Sequence, residues 1–248
     1  MKPQTLPRID VEPELSRAIR SMGGQRVDEL LGKKPGISNA DFCFSQQRVI
    51  AELKCLEVDQ LSNDEFVKKT SAIHAKYVSS GQIKQLVAGR RRITTDGLPE
   101  EMKLEIARLY ATPIIRAIKK AHMQIEQTAE RLKDMGPWRG LLILVNNGNT
   151  ALDPEHIRWS LAECFSTTAL PSIHHVIAFT VNLPSKATYL GMDVHAWISA
   201  GVRKEGEKLH EFARDLHDAW CKHLSNITGA VASIDASWDA IDGLKNKP

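Results

Sequence analysis

Two continuous apolar segments constrain the fold of this chain more than any other feature. Residues 140–145 and 173–183 contain no Asp, Glu, Lys or Arg, and both are far too short to cross a membrane. Such runs are typical of strands that are buried on both faces. Between them, residues 153–165 open with Asp-Pro-Glu, a pattern that favours the start of a helix. Strand, helix and strand in this order predict a parallel pair with a right-handed crossover, and therefore an α/β fold.

Helical spacing of apolar residues predicts several further helices. The segment 112–132 has the clearest boundaries, because Thr112 is a suitable cap and Pro113 would occupy the first turn. Asp64 is predicted to cap a helix that runs to residue 78. Other helices are predicted over residues 13–22, 27–31, 82–88, 99–110 and 206–224, and a further strand over residues 193–200.

A charged hairpin precedes these elements. Residues 39–44 and 49–54 are short, largely apolar runs on either side of the polar loop 45–48, a pattern typical of a β-hairpin. If the loop occupies these four positions, Phe44 faces Val49 and, counting outward, Asp41 faces Glu52. Like charges directly opposite each other on a sheet are destabilising. The hairpin therefore carries charge where a buried strand should carry none.

Lys54 leaves the same face of the strand as Glu52, because side chains alternate along a strand. Two acids and one ammonium on one patch suit a divalent cation beside a water molecule, and Mg²⁺ commonly takes one or two carboxylates. The alternative is an exposed polar row at the edge of a half-buried sheet. Ile50 and Leu56 share the face of Glu52 and Lys54, so a fully solvated row is the less favoured interpretation.

The spacing resembles a known family. Asp41, ten intervening residues and then Glu52-Leu53-Lys54 are similar to the core motif of the PD-(D/E)XK nuclease superfamily, although Ala40 stands where that motif often has Pro. The resemblance implies a restriction-endonuclease-like fold in which Asp41 and Glu52 bind Mg²⁺ or Mn²⁺ and the carbonyl of Leu53 adds a ligand. It also implies that Lys54 positions the attacking water and stabilises the transition state.

Two further site residues follow from the same resemblance. In this family an acidic residue of the first helix often reaches the metal, and Glu14 is the best candidate by position, ahead of Glu12 and Glu29. A Gln of the helix after the hairpin often lies near the metal or the substrate backbone, and Gln124 matches it. The alternatives are glutamates favoured by the helix dipole and a Gln at the edge of an apolar stripe.

The predicted organisation is one nuclease-like domain over residues 1–248. Its α/β core, a mixed central sheet flanked by helices, would span about residues 13–56 and 111–183. A helical insertion would follow the catalytic hairpin over about residues 57–110, and residues 184–248 would form an extension. The resemblance covers the core elements between residues 13 and 183, so the insertion and the extension are expected to select the substrate.

Charge and composition agree with a nucleic-acid partner without demanding one. The net charge is +3 with a pI near 8.6, and basic residues concentrate in the middle third at Lys84, Arg90-Arg91-Arg92 and Lys119-Lys120. The arginine triplet also fits a solvated loop. Neither a signal peptide nor a membrane-length segment is seen, so a cytoplasmic location is expected. The oligomeric state is open, a homodimer included.

The remaining reactive side chains give no competing site. Four scattered cysteines without a C-x-x-C pair predict reduced thiols. His174 and His175 should point to opposite faces of a strand, and His210 and His217 are expected at a helix surface.

The predicted function is therefore a Mg²⁺- or Mn²⁺-dependent phosphodiesterase, a nuclease acting on DNA. Three alternatives stay open. The first is a non-catalytic nucleic-acid-binding or protein-interaction module of the same fold, since fold does not fix function. The second is a metal-dependent hydrolase of a small phosphorylated compound, and the third is an interaction protein without an active site.

Overall fold

A computed structural model of the chain describes residues 8–32, 38–84, 97–183, 188–189, 192–193, 195–229 and 233–237. Two of the sequence predictions fall outside these ranges: the Arg90-Arg91-Arg92 triplet and most of the helical piece at residues 82–88.

The described residues build a seven-stranded sheet, of which the first strand has only two residues. In spatial order its strands are β1 (Gln25–Arg26), β2 (Phe42–Phe44), β3 (Val49–Leu56), β4 (Arg139–Asn147), β5 (His175–Val181), β8 (His195–Gly201) and β9 (Ser233–Ser237). A separate small hairpin is formed by β6 (Thr188–Tyr189) and β7 (Met192–Asp193).

The sheet is mixed, because three parallel strands stand at its centre between antiparallel neighbours. Strands β3, β4 and β5 are parallel, β1 and β2 pair antiparallel on one side, and β8 is antiparallel to β5 while β9 is parallel to β8. The two apolar segments at residues 140–145 and 173–183 are the central strands β4 and β5. The prediction of an α/β fold with a mixed central sheet flanked by helices is confirmed.

The described residues form six α-helices. They are α1 (Val11–Ser21), α2 (Val27–Leu31), α3 (Asp64–Ser79), α4 (Glu100–Arg131), α5 (Pro154–Thr167) and α6 (His210–Thr228). Of these, α1, α4, α5 and α6 pack on the two faces of the sheet. Short 3-10 turns occur at Gln60–Ser62, Lys133–Met135 and Lys204–Leu209. None of the described helices combines the length and the apolar character needed to cross a membrane.

The handedness of crossovers explains which helices share a face. Helix α4 leads from β3 to β4, helix α5 leads from β4 to β5, and both pack on the same side of the sheet. Strand β8 runs antiparallel to β5, but the next strand, β9, is again added on the same side of the sheet as β5 and β8 were. A right-handed crossover from β8 to β9 therefore requires the other face. Helix α6 lies on that other face, together with α1.

The two faces of β3 enter different cores. Val49, Ala51 and Leu53 pack towards α1 and α6, whereas Ile50 and Leu56 pack towards α4 and α5. Because side chains alternate along a strand, Glu52 and Lys54 belong to the α4 side. The charged residues of the hairpin therefore lie under a helix and not on a solvated face.

The structure of helix α4 shows that one prediction was wrong. The sequence predicted a break at residue 111 with Thr112 as a new cap, but the helix is continuous across this point and Thr112 Oγ1 donates to the carbonyl of Arg108 at 3.1 Å. Ala111 and Ile114 are both fully buried, so packing on each side of Pro113 holds the helix together. This packing offsets the missing N–H of the proline.

The cap of helix α3 lies one residue earlier than predicted. Asn63, and not Asp64, caps it, and Asn63 Oδ1 accepts hydrogen bonds from the N–H groups of Glu65 and Phe66 at 3.0 and 3.1 Å. The predicted start of α5 is confirmed, since Asp153 accepts from the N–H of His156 at 2.9 Å. Helix α3 and the first part of α4 occupy the region between β3 and β4 where the helical insertion was predicted.

The histidines and cysteines are mainly packing residues. His217 is buried against the ring of Trp197 at 4.7 Å, so the prediction of a surface position was wrong for it. Burial lowers the pKa of His175 to about 4, and its ring contacts the carbonyl of Gly206 and the hydroxyl of Ser199. All four cysteines are free thiols.

Candidate functional site

The hairpin has the register that the sequence predicted. Phe44 pairs with Val49 and Phe42 with Ala51, so the next step outward brings Asp41 beside Glu52. At this step the two segments are joined by hydrogen bonds from backbone N–H groups to side chains, and no longer by backbone-to-backbone hydrogen bonds. The N–H of Asp41 donates to Glu52 Oε2 at 3.0 Å, and the N–H of Leu53 donates to Asp41 Oδ2 at 2.9 Å. Each acid is thus fixed by the backbone of the opposite segment.

The turn of the hairpin is fixed to the rest of the sheet. Arg48 closes it in the left-handed conformation with a φ of 56°, and its carbonyl accepts from the N–H of Arg139 at 2.9 Å. The guanidinium of Arg48 lies over the ring of Trp138, 5.5 Å from the ring centre. The parallel ladder between β3 and β4 begins directly after this contact, at Val49 and Arg139. A register slip in the hairpin would therefore disturb β4 as well.

Lys54 connects the carboxylates to helix α4. Its ammonium forms an ion pair with Glu52 Oε1 and donates to Gln124 Oε1 at 2.7 Å. The amide nitrogen of Gln124 in turn donates to the carbonyl of Asn39 at 3.0 Å. Gln124 therefore contacts both segments of the site, and the structure brings together Asp41, Glu52, Lys54 and Gln124.

Thr128 is a supporting residue of the site that the sequence did not identify as such. Its hydroxyl accepts from the N–H of Ala40 at 2.7 Å and donates to the carbonyl of Gln124 at 2.8 Å, and it is fully buried. A proline at position 40 could not make this contact, because it has no N–H. The absence of proline at Ala40, which leaves an N–H at this position, is the sequence signal that could have indicated a polar partner.

Asn39 extends the support on the other side. Its side chain accepts from Arg131 at the end of α4 and donates to Asp28 Oδ1 of α2 at 2.8 Å. Arg131 also donates to the carbonyl of Leu31 at 3.2 Å. The segment that carries Asp41 is thus held between two helices.

Burial and mutual repulsion dominate the electrostatics of the pair. Glu52 is only 1% exposed, and burial, followed by the negative charge of Asp41, raises the pKa of Glu52 to about 8. Burial also raises the pKa of Asp41, while the N–H of Leu53 and the charge of Lys54 act in the opposite direction. The two carboxyl groups thus favour retention of a proton, which an additional cation would displace.

The donor set fits a hard divalent cation. Asp41 and Glu52 supply two carboxylates, which is within what Mg²⁺ uses when waters and phosphate oxygens complete its shell. The N–H of Leu53 points towards Asp41, and in a strand the carbonyl of the same residue points the same way, so the carbonyl of Leu53 faces this pair too. No group of three or more His, Cys, Asp and Glu side chains with the geometry of a metal site occurs in the part of the chain that the structure describes.

Glu14 is not brought to this cluster. Its carboxylate contacts Arg17 and His223, with 2.6 Å from His223 Nε2 to Glu14 Oε2, on the face of the sheet that α1 shares with α6. Glu12, in contrast, does act on the cluster: burial is the main cause of the raised pKa of Asp41, and the negative charge of Glu12 adds to it. The carboxylate of Glu12 pairs with Arg26 at 2.8 Å, and that of Glu29 pairs with Arg20.

Comparison with known proteins identifies no relative: no family model, no curated protein and no solved structure matches the chain.

Proposed function

We propose that this protein is a Mg²⁺- or Mn²⁺-dependent nuclease that hydrolyses phosphodiester bonds and that its substrate is DNA. One observation carries the proposal: the buried carboxyl group of Glu52 faces the half-buried one of Asp41 beneath α4, and the ammonium of Lys54 joins Glu52 to Gln124. The order of α1, hairpin, α4 and β4 supports a restriction-endonuclease-like core. In this proposal Asp41, Glu52 and the Leu53 carbonyl hold the cation.

The charged cluster lowers the stability of the fold. Burying a charged group is expensive, and replacing a buried ion pair by well-packed apolar residues is often neutral or stabilising. Glu52 and Asp41 add like-charge repulsion to that cost. Groups whose pKa is shifted in this way cluster at functional sites. An apolar pair would serve a purely structural role better. The charged cluster therefore supports a catalytic role for these residues over a role in packing.

Each residue has a role in phosphodiester hydrolysis. A bound Mg²⁺ or Mn²⁺ would supply Lewis-acid charge next to the phosphoryl oxygens. Lys54 has three N–H donors, of which Glu52 and Gln124 take two, so the third is available to a water or a phosphate oxygen. Water adds its oxygen to phosphorus, one P–O ester bond breaks and the leaving oxygen takes up a proton. Lys54 orients that water and stabilises the negative charge on phosphorus.

Gln124 acts by positioning. Its carbonyl oxygen accepts from Lys54 at 2.7 Å and its amide nitrogen donates to the carbonyl of Asn39 at 3.0 Å. It therefore sets the distance between the ammonium and the segment that carries Asp41. Because the ammonium must reach the reacting phosphate, an error of about 1 Å in this distance can cost about a hundredfold in rate.

Cleavage assays with single substitutions test the proposal. The purified protein is incubated with linear, circular and single-stranded DNA and with RNA, in Mg²⁺, in Mn²⁺ and in EDTA. Glu52→Gln and Lys54→Met should each lower the metal-dependent cleavage rate by about a hundredfold or more, because each removes a group that acts on the reacting phosphate. Glu126→Gln, an exposed substitution on α4, is the matched control and should cleave as the wild type does.

The assay also separates the alternatives. A wild type that binds DNA in a salt-dependent way but cuts no nucleic acid in either metal would favour the non-catalytic module. Hydrolysis of small phosphate esters without cleavage of polymers would favour the small-substrate hydrolase. Equal cleavage by Glu52→Gln and the wild type would contradict the assignment of the site.

A further inference from the structure

The middle of helix α4 carries unbalanced positive charge. Between Glu105 and Glu126 the helix has no acidic residue, although it contains Arg108, Arg116, Lys119 and Lys120. Lys103, which precedes this segment, pairs with Glu100 at 2.7 Å, and Arg108 within it pairs with Glu163 of α5 at 3.6 Å. Arg116 and Lys120 are exposed, and neither forms an ion pair with an acidic side chain among the described residues, although Arg116 is near enough to Glu65 to act on its charge. Their charges are therefore available to an external anion.

The helix geometry places these two side chains in a row with the proposed site. Lys120 precedes Gln124 by four residues, which is about one turn and about 6 Å along the axis, and Arg116 lies about 12 Å away. Residues four apart are neighbours on a helix surface. Gln124 itself contacts Lys54. The row thus leads from the reacting centre towards the start of α4, on a flank that the buried residues Ile118, Ala121 and Ile125 do not occupy.

Arg116 and Lys119 act on charges of different neighbouring helices. The pKa of Glu65 at the start of α3 is lowered first by Lys69 and in addition by Arg116, so Arg116 faces α3. Lys119 instead acts on Cys164 of α5, where it opposes the effect of burial on the pKa of that thiol. On a helix, positions 119 and 124 are separated by about 140° of rotation. Lys119 therefore carries the same charge on the same helix but lies outside the row, about 100° from Lys120 and about 60° from Arg116.

We infer that Arg116 and Lys120 bind backbone phosphates of the DNA strand next to the scissile bond, on the side towards α3. This inference rests on the proposed function. It assigns two contacts that lie outside the carboxylate cluster and act on binding rather than on the chemical step. Such contacts are independent of base sequence, because phosphates carry no sequence information.

Salt-dependent binding tests the inference independently of cleavage. The affinity of the full-length protein for a short DNA duplex is measured by fluorescence anisotropy in EDTA between about 50 and about 200 mM salt. Each phosphate contact contributes about 0.9 to the slope of log affinity against log salt. The double variant Arg116→Gln, Lys120→Gln should therefore have a slope that is smaller by about 1.8. Across this range the wild type should lose about twelvefold more affinity than the double variant.

Lys119→Gln is the matched control, because it removes one charge of α4 that lies outside the row and acts on Cys164 of α5, and its slope should stay closer to the wild-type value than that of the variant Lys120→Gln. A slope for the double variant equal to that of the wild type would overturn the inference, as would a wild type without measurable affinity at the lowest salt. A failure of the proposed function would give a different result. In that case the protein would not cleave DNA in Mg²⁺ or Mn²⁺, but the slopes of the wild type and the double variant would still differ.

Discussion

The carboxyl group of Glu52 makes the stability of this protein depend on pH. Its pKa of about 8 lies above the ordinary value of 4.5, mainly because the group is buried. Between these two pH values the folded chain keeps a proton that the unfolded chain has released. Folding stability therefore falls as pH rises through this window in metal-free solution. The raised pKa of Asp41 acts in the same direction.

The variant Glu52→Gln should remove most of this dependence. Its free energy of unfolding in EDTA should match that of the wild type near pH 5 and exceed it by about 3 kcal/mol near pH 8, because glutamine has no charge to desolvate. Urea denaturation at several pH values measures the difference. A constant difference between the two proteins across the window would contradict the pKa shift.

Thr128 offers a second test at the scale of single residues. In Thr128→Val the shape of the side chain is kept, but the buried N–H of Ala40 loses its acceptor, which should cost about 1–3 kcal/mol of folding free energy. Thr128→Ser keeps the oxygen and is the control, with a smaller loss from one missing methyl group. If Thr128→Val is as stable as the wild type in urea denaturation while Thr128→Ser is less stable, packing and not the hydrogen bond explains the role of Thr128.

At the scale of elements, α4 is one helix with a proline in its interior. Pro113 leaves the carbonyl of residue 109 without its usual N–H donor, a loss that the buried neighbours Ala111 and Ile114 offset. Pro113→Ala should therefore raise the free energy of unfolding by about 1 kcal/mol or more. Pro154→Ala is the matched control, because Pro154 sits in the first turn of α5, where a proline has no such cost. Thermal denaturation of both variants gives the comparison, and a gain in neither would show that α4 is already relaxed around Pro113.

The sequence predicted the elements whose local pattern and tertiary setting agree. The hairpin register followed from counting residues, because alternation along a strand leaves few options once the turn is placed. The central strands followed from apolar runs with no charges. The break at Thr112 was wrong because local capping signals were opposed by buried contacts on both sides of Pro113. The position of Glu14 could not be predicted, because His223 of α6 is distant in sequence and meets it only in the folded chain.

At the scale of the whole molecule, the candidate site joins parts that are far apart in sequence. The hairpin supplies Asp41, Glu52 and Lys54, and α4 supplies Gln124 and Thr128 from the other side. A cation at this place would hold the edge of the sheet and the helix layer in their folded arrangement. Because a ligand that binds only the folded state stabilises it, the whole domain should respond to the metal.

Mg²⁺ should therefore raise the melting temperature of the wild type. At a concentration one hundred times its dissociation constant, the gain would be about 2.7 kcal/mol. The gain should vanish in Glu52→Gln. Glu14→Gln should keep it, because the carboxylate of Glu14 contacts Arg17 and His223 on the other face of the sheet. Loss of the Mg²⁺ effect in Glu14→Gln would instead show that Glu14 is a metal ligand.

The length of α4 sets a scale for the contact with a substrate. Its 32 residues extend for about 48 Å, whereas the nine residues of β4 extend for about 30 Å. The helix is therefore longer than the strand that follows it. A rod of this length corresponds to about fourteen base pairs of duplex. If the protein binds DNA as proposed, the length of its footprint on a long duplex would report how much of α4 lies against the DNA.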